Sequence, residues 1–266
     1  MGADTKTLRN RIKSVDSTLH LTKAMGLVAS SKIRKAMESM HKSREYADMT
    51  ESVVRNLTAC PECVKSPYMA KKSEGIRCII VIAGDRGLAG GYNSNVFRVA
   101  KEYPDAEFIA VGKRACDRFG GEYSAEYFTF EQASELAKEL CRRFAEGEIK
   151  SLEIIGTKYI SMMSQESYIS SVLPLVREEE ASVSGIVFEP DELSVLNTAV
   201  PLYVAGMIVA AVRESFASEV AARRCAMDSA GKNAKQMIDD LQLQYNRARQ
   251  GAITQEITEI VAGSGM

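Results

Sequence analysis

The chain has no tryptophan, 2 histidines, 6 prolines and a formal net charge of −1 in 266 residues. The two histidines, His20 and His41, stand far apart in one Pro-free stretch, and no Ser or Cys occupies a nucleophile turn beside either. That scarcity excludes a histidine-built metal centre and leaves no acid/base or nucleophilic constellation. The expectation is a chain with no catalytic residue, no metal and no cofactor. Long apolar runs are also missing. The most apolar stretch, Leu196 to Val212, is broken by Asn197, Pro201 and Gly206. It falls short of the roughly 20 residues of a membrane-spanning helix and is read as buried protein. The start of the chain lacks the apolar core of a secretory signal, and Lys6 stands where a myristoylation motif needs Ser or Thr, so an intracellular protein is expected. Six cysteines are present, but Cys78, Cys116, Cys141 and Cys225 sit in apolar or helical runs, which suits reduced thiols better than a disulfide framework.

What is present is the composition of a folded protein, 45% hydrophobic and 26% charged. The near-zero net charge conceals a split. Residues 1–57 carry 11 Lys+Arg against 6 Asp+Glu, residues 58–202 carry 16 against 22, and residues 203–266 carry 7 against 7. A basic first segment faces either an electronegative partner or solvent, and the charge alone leaves both open.

These three segments differ in pattern as well as charge. From Thr5 to about Leu57 there is no Pro, and a ladder with spacing alternating four and three runs Leu8, Ile12, Val15, Leu19, Thr22, Gly26, Ala29, Ile33, Ala36, Met40, Ser43, Ala47, Thr50, Val54, Leu57. All but Thr22, Ser43 and Thr50 are apolar or Gly, the heptad of a coiled coil. From about Tyr203 to Ala262 Pro is again absent, and Ala234, Ile238, Leu241, Tyr245, Ala248 and Ala252 keep the same alternation; Val212, Phe216 and Val220 are spaced by four, a stutter.

Between the two, residues 58–75 form a Pro/Ser/Lys-containing connection. Strands are then expected at Arg77–Ala83, Glu107–Val111, Tyr123–Phe130, Ser151–Tyr159 and Tyr168–Leu175. Helices are expected at Ser94–Tyr103, from Lys113, and at Glu131–Ala145. Such alternation indicates a Rossmann-like parallel α/β sheet. The fold class is therefore α/β: a long antiparallel two-helix coiled coil (1–57 and 203–266) carrying a central α/β domain with its connections (58–202).

Gly84-Asp-Arg-Gly-Leu-Ala-Gly-Gly91 follows the first strand and opens a helix, where nucleotide folds cradle phosphate. Its G-x-x-G-x-x-G-G spacing differs from G-x-G-x-x-G, and no Gly-Lys-Ser/Thr follows. A tight strand-to-helix turn is the main reading, a nucleotide-binding enzyme the alternative. Cys60-Pro-Glu-Cys63 is a single C-x-x-C without a second pair, half a zinc site at best. The last helix ends in Arg249, Gln250, Thr254, Glu256 and Glu259, interleaved with Ile253, Ile257, Ile260 and Val261. Those polar groups suit hydrogen bonding to a surrounding protein surface, whereas a frayed polar terminus would not by itself call for the apolar set.

Several stretches together resemble the gamma-subunit family of F-type ATP synthases, over essentially the whole chain. They are Leu8-Arg-Asn-Arg-Ile-Lys-Ser-Val15, Leu21-Thr-Lys23-Ala-Met25-Gly-Leu-Val28-Ala-Ser-Ser-Lys32, Asp85-Arg-Gly-Leu-Ala-Gly-Gly-Tyr-Asn93, Ala226-Met-Asp228 and Asn246-Arg-Ala-Arg249-Gln250 with Ile253-Thr254-Gln-Glu256. Departures are Gly26, Ala89 and Ser264, where the family usually has a helix former, Cys and Ala. The resemblance implies a rotor shaft turning inside a collar of alpha and beta subunits. Its α/β domain would rest on the c-subunit ring beside the epsilon subunit, at the cytoplasmic face of a bacterial membrane, with no nucleic acid involved. It also implies contact of Arg249 and Gln250 with a beta-subunit loop, torque coupling near Met25, and c-ring contact at Glu189 in Phe188-Glu-Pro-Asp191. Lys23, Thr254 and Glu256 are further expected partner contacts.

Overall fold

The structure, a computed structural model, describes residues 2–177 and 188–263. Ser264 and the residues between Arg177 and Phe188 lie outside that range. The chain forms two compact units, Met1–Ser30 with Arg223–Met266, and Ser31–Ala222. Two helices contribute to both: α1 (Gly2–Ala59) and α5 (Glu192–Gly263).

In the first unit α1 and α5 pair antiparallel. Arg9 donates to the Tyr245 hydroxyl at 2.6 Å, Arg224 bonds Ser30, and a side chain built on Gly231 would meet Thr22 Oγ1 at 3.6 Å. Between Gly2 and Ser30, the buried side chains are Leu19, Thr22 and Ala29, all on the heptad ladder. The pairing sets residue 9 opposite 245 and 22 opposite 231, which carries the seam along α5 to about Ala252, half-buried; from Ile253 to Gly263 every residue is exposed.

The second unit is built around β1 (Ile76–Ile82), whose last five residues are wholly buried. With β2 (Glu107–Val111), β3 (Ile149–Tyr159) and β4 (Gln165–Leu173) it forms a sheet of order β2-β1-β3-β4. Successive side chains of a strand point to opposite faces, and the core divides accordingly. Cys78, Ile80 and Ile82 pack with α4 (Phe130–Glu146), Val54 and Leu57 of α1, and Leu196 to Val212 of α5. Ile79 and Val81 pack with α2 (Tyr92–Ala100) and α3 (Lys113–Phe119).

Three sequence expectations need correction. β1 pairs in parallel with β2 and β3, but β4 runs antiparallel to β3. The connection spans only residues 160–164, and a parallel crossover needs a dozen or more residues. No strand forms at Tyr123–Phe130; Tyr123 makes a lone bridge to Val111, and the amides of Ala125 and Glu126 are taken by the Asp85 carboxylate. α5 begins at Glu192 rather than near Tyr203, with Pro201 inside it. An internal Pro costs about 3 kcal/mol. Leu196, Val200, Val204 and Ile208 are each fully buried, and burial of such side chains contributes roughly 1.5–3 kcal/mol apiece, so packing outweighs the break. Asp191 caps this helix, accepting from the Ser194 N–H at 2.9 Å and its hydroxyl at 2.8 Å.

Of the described helices, α5 alone is long and apolar enough to cross a membrane, with an 18-residue window of mean hydropathy 1.9, half of it buried. The buried Leu196–Val212 side chains belong to the core of the α/β unit.

Candidate functional site

The expected contact residues fall on two surfaces. In the first unit Lys23 is exposed and Met25 half-buried on α1. Lys23 helps to line a groove of about 450 Å³ between α1 and α5, whose floor includes Leu19, Gly26 and Met227 and whose rims carry Arg224, Lys232 and Lys235. At Gly26 an added Cβ would lie 3.7 Å from the Met227 Cβ, an ordinary van der Waals contact. Asp228 pairs with Lys232 at 2.8 Å, which lowers the Asp228 pKa and leaves the rim predominantly basic.

Arg249, Gln250, Thr254 and Glu256 are all exposed on the last part of α5. Thr254 donates its hydroxyl back to the Gln250 carbonyl at 2.9 Å, and no bond of Arg249 or Glu256 is found among the described residues. With Ile253, Ile257, Ile260 and Val261 at 43–70% exposure, this helix end presents apolar and hydrogen-bonding groups together to the outside. The structure thus brings the C-terminal four residues onto one short stretch, with Lys23 and Met25 elsewhere in the same unit. Glu189 belongs to the other unit, exposed between Phe188, which packs on the core, and the capping Asp191.

The glycine-rich turn is occupied by its own side chains. Asp85 accepts from the Lys113 amide (2.9 Å), the Ser124 hydroxyl (2.7 Å), the Ala125 amide (3.0 Å) and the Glu126 amide (2.8 Å). Burial pushes this carboxyl up, but the four hydrogen bonds outweigh it and its pKa lies below the ordinary value. The Lys113 amide opens α3, so the start of that helix is held by the Asp85 carboxylate. Asn93 accepts from the Gly84 amide at 2.9 Å, closing the turn from the α2 side. Gly112, at φ +94°, admits no side chain, since its Cβ would stand 1.9 Å from the Ala83 carbonyl oxygen. The turn thus joins β1 to α2 and α3 through Asp85 and Asn93, the structural reading of the motif.

Cys60, the N-cap of the 3-10 turn Pro61–Lys65 that follows α1, and Cys63 within that turn are both buried. Burial, then each other's proximity, pushes the Cys63 thiol up to about 11, and burial raises Cys60 as well. Protonated thiols of this kind are poor nucleophiles and poor ligands.

Sequence reasoning missed the role of Asp85 and a second set of polar anchors. Lys32 pairs with Glu126 at 2.5 Å, and Arg213 donates to the carbonyls of Glu126 (3.3 Å) and Phe128 (2.5 Å). The available signal was the run Arg213-Glu-Ser-Phe-Ala-Ser-Glu219 directly after the apolar stretch Leu196–Val212, because polar groups that are buried require partners.

Comparison with known proteins gives a consistent result. The ATP synthase family model matches residues 4–265. The ATP synthase gamma chain of Ruminococcus albus is 39% identical over 281 residues, covering 98% of each chain. That of Moorella thermoacetica is 37% identical over 277 residues, again 98% of each. Among solved structures, a chain of the Euglena gracilis mitochondrial ATP synthase (OSCP/F1/c-ring, rotational state 3) superposes with a TM-score of 0.68 at 19% identity, covering 98% of this chain and 94% of that one. A chain from the rotor of the same synthase gives 0.65 at 18% identity, with 95% and 100% covered. At such identity these two likenesses speak to the fold alone.

Proposed function

The chain belongs to the ATP synthase family, among its gamma chains, and from that premise we propose that it is the shaft of the synthase rotor. It is a non-catalytic subunit that couples ion flow through the c ring to ATP synthesis or hydrolysis at the alpha and beta subunits. The observation that carries this reading is the end of α5. Beyond Ala252 the helix continues to Gly263 with every residue exposed, apolar and polar in turn. A helix end of that character is completed by a protein surface around it, and the alpha/beta collar supplies one.

On this reading Arg249 and Gln250, with Thr254 and Glu256, bond the collar; Lys23 faces it at the groove and Met25 faces it from α1; and Glu189 meets the c ring, with the epsilon subunit against the α/β unit. Membership of a membrane-associated synthase supports a peripheral location, which on this reading is the cytoplasmic face of a bacterial membrane. The division into shaft (1–57, 203–266) and foot (58–202) follows the same logic, because the helix pair presents recurrent polar surface and the sheet unit a closed core.

The test is reconstitution with alpha, beta, epsilon and the c ring. The double variant Arg249→Ala/Gln250→Ala should assemble normally, because neither side chain bonds another of the described residues. It should lose about tenfold in coupled ATP hydrolysis, the equivalent of one charge-assisted hydrogen bond of roughly 1.5 kcal/mol. Hydrolysis and pumping equal to wild type would deprive the proposed contact of weight.

A further inference from the structure

The polar run of α5 is unusual in where it lies. Ser215 and Ser218 are fully buried and Glu219 is 1% exposed, in a helix whose neighbouring turns are apolar core. Burying such groups costs free energy unless each finds a partner, and here the partners come from every side. Arg213 holds the Glu126 and Phe128 carbonyls. Glu214 accepts from Arg44 of α1 at 2.5 Å and from the Tyr159 amide at 3.1 Å. Ser215 accepts from the Thr157 amide at 2.9 Å, and its carbonyl accepts from the Tyr92 hydroxyl at 2.9 Å. Ser218 donates to the Thr157 carbonyl at 3.2 Å. Glu219 lies against Gly84, where even a Cβ would approach its Oε1 to 2.7 Å.

At about 100° per residue, positions 213, 214, 215, 218 and 219 spread over roughly 240° of the helix circumference. That distribution matters mechanically. Apolar contact is non-directional, so a helix held by it alone can turn about its axis and trade one contact for a similar one. Hydrogen bonds weaken steeply once bent, so the bonds at Arg213, Glu214, Ser215 and Ser218, with Glu219 set against Gly84, resist rotation either way. We infer that residues 213–219 of α5 are a key that locks the helix against turning about its own axis relative to the α/β sheet. Arg213, Glu214, Ser215, Ser218 and Glu219 are thus positioning residues for torque transfer. This deepens the rotor reading and rests on it: torque entering at the α/β unit passes to α5 here, and to α1 through Arg44–Glu214 and Lys32–Glu126.

The experiment uses the reconstituted synthase with a bead on the α/β unit and the alpha/beta collar fixed. Two lesions are compared with wild type: Arg213→Met, and Ser215→Ala/Ser218→Ala. A surface control, Arg142→Ala, removes ion pairs within and just beyond α4. The lesions should leave assembly intact and hydrolysis within about twofold of wild type, while torsional stiffness and protons pumped per ATP each fall at least twofold. Arg213→Lys, which keeps a cationic donor, should recover most of the loss, and Arg142→Ala should match wild type. If the serine double variant fails to assemble, Ser218→Ala alone must still show a smaller fall in the same direction. Unchanged stiffness and pumping ratio in assembled lesions overturn the key. Failure of the wild-type chain to assemble with alpha and beta, or continued hydrolysis after cross-linking it to beta, overturns the rotor reading instead.

Discussion

The helix pair and the sheet unit of this chain are stabilised by different means. In the pair, every seam position is covered by a single partner helix, so most seam side chains are half-buried, and its polar contacts, such as Arg9 to Tyr245, are exposed. In the sheet unit β1 is closed on both faces and buried polar groups are bonded from several elements. A two-helix seam gains its specificity from period alone. A closed sheet gains it from packing plus directional bonds, and tolerates less alteration.

The largest effects should expose that difference through the same chemical deletion in each region. Ile80→Ala, at a site with 0% exposure, should cost about 3–5 kcal/mol, because the cavity is enclosed on all sides. Leu19→Ala, at 9% exposure in the seam, should cost about 1–3 kcal/mol, because the surrounding helix surface can settle into the gap. Hydrogen exchange reads the two units separately in one sample. Equal losses would mean that the seam is as closed as the core and would break the comparison.

A smaller effect isolates the directional bonds. Asp85→Asn keeps the shape of the side chain but surrenders its charge and one acceptor, for an expected loss of about 1.5–3 kcal/mol at pH 7 confined to the sheet unit. The sign with pH follows from the direction of the shift. The folded-state pKa of Asp85 is depressed, so its contribution is present above the ordinary carboxylate value and is lost as pH falls through the lower, folded one. Urea titrations from pH 7 to pH 2 should show wild type and Asp85→Asn converging at the acid end. A constant gap down to pH 2 would show that charge is not what Asp85 contributes.

The same contrast explains what was legible in the sequence. Each of the fifteen seam positions from Leu8 to Leu57 is buried or half-buried and none is exposed, because a helix imposes one period on its whole length and hydrophobicity reports it directly. β1 was likewise written in an unbroken apolar run, and α3 and α4 begin at or within one residue of Lys113 and Glu131 where they were expected, although the Thr129/Gln132 capping box of α4 was not read from the sequence. Three features depended on long-range pairing: β4 against β3, the Ala125 and Glu126 amides going to Asp85 instead of a strand, and Pro201 accommodated inside a buried helix. None has a local periodicity. The residues proposed as contacts split along the same line. Arg249, Gln250, Thr254 and Glu256 were visible as polar groups on an exposed helix end. Asp85, Arg213 and Ser215 act by reaching residues far along the chain, and only the folded arrangement identifies their partners.

The smallest predicted effect tests whether the helix pair is limited by packing or by backbone preference. Gly26 lies on the seam where close approach could have demanded glycine, as it does at Gly112. Its geometry makes no such demand: the backbone is helical, and an added Cβ would meet only the Met227 Cβ at 3.7 Å, an ordinary van der Waals contact. Replacing an interior helical Gly by Ala then recovers up to about 1 kcal/mol of backbone entropy with no steric cost. Gly26→Ala should therefore slow hydrogen exchange in the first unit and leave the sheet unit unchanged. A loss of protection would show that the helices are closer at this point than their backbones require. The groove lined by Lys23, Gly26 and Met227 would then be held open by the glycine, a feature its sequence neighbours alone do not explain.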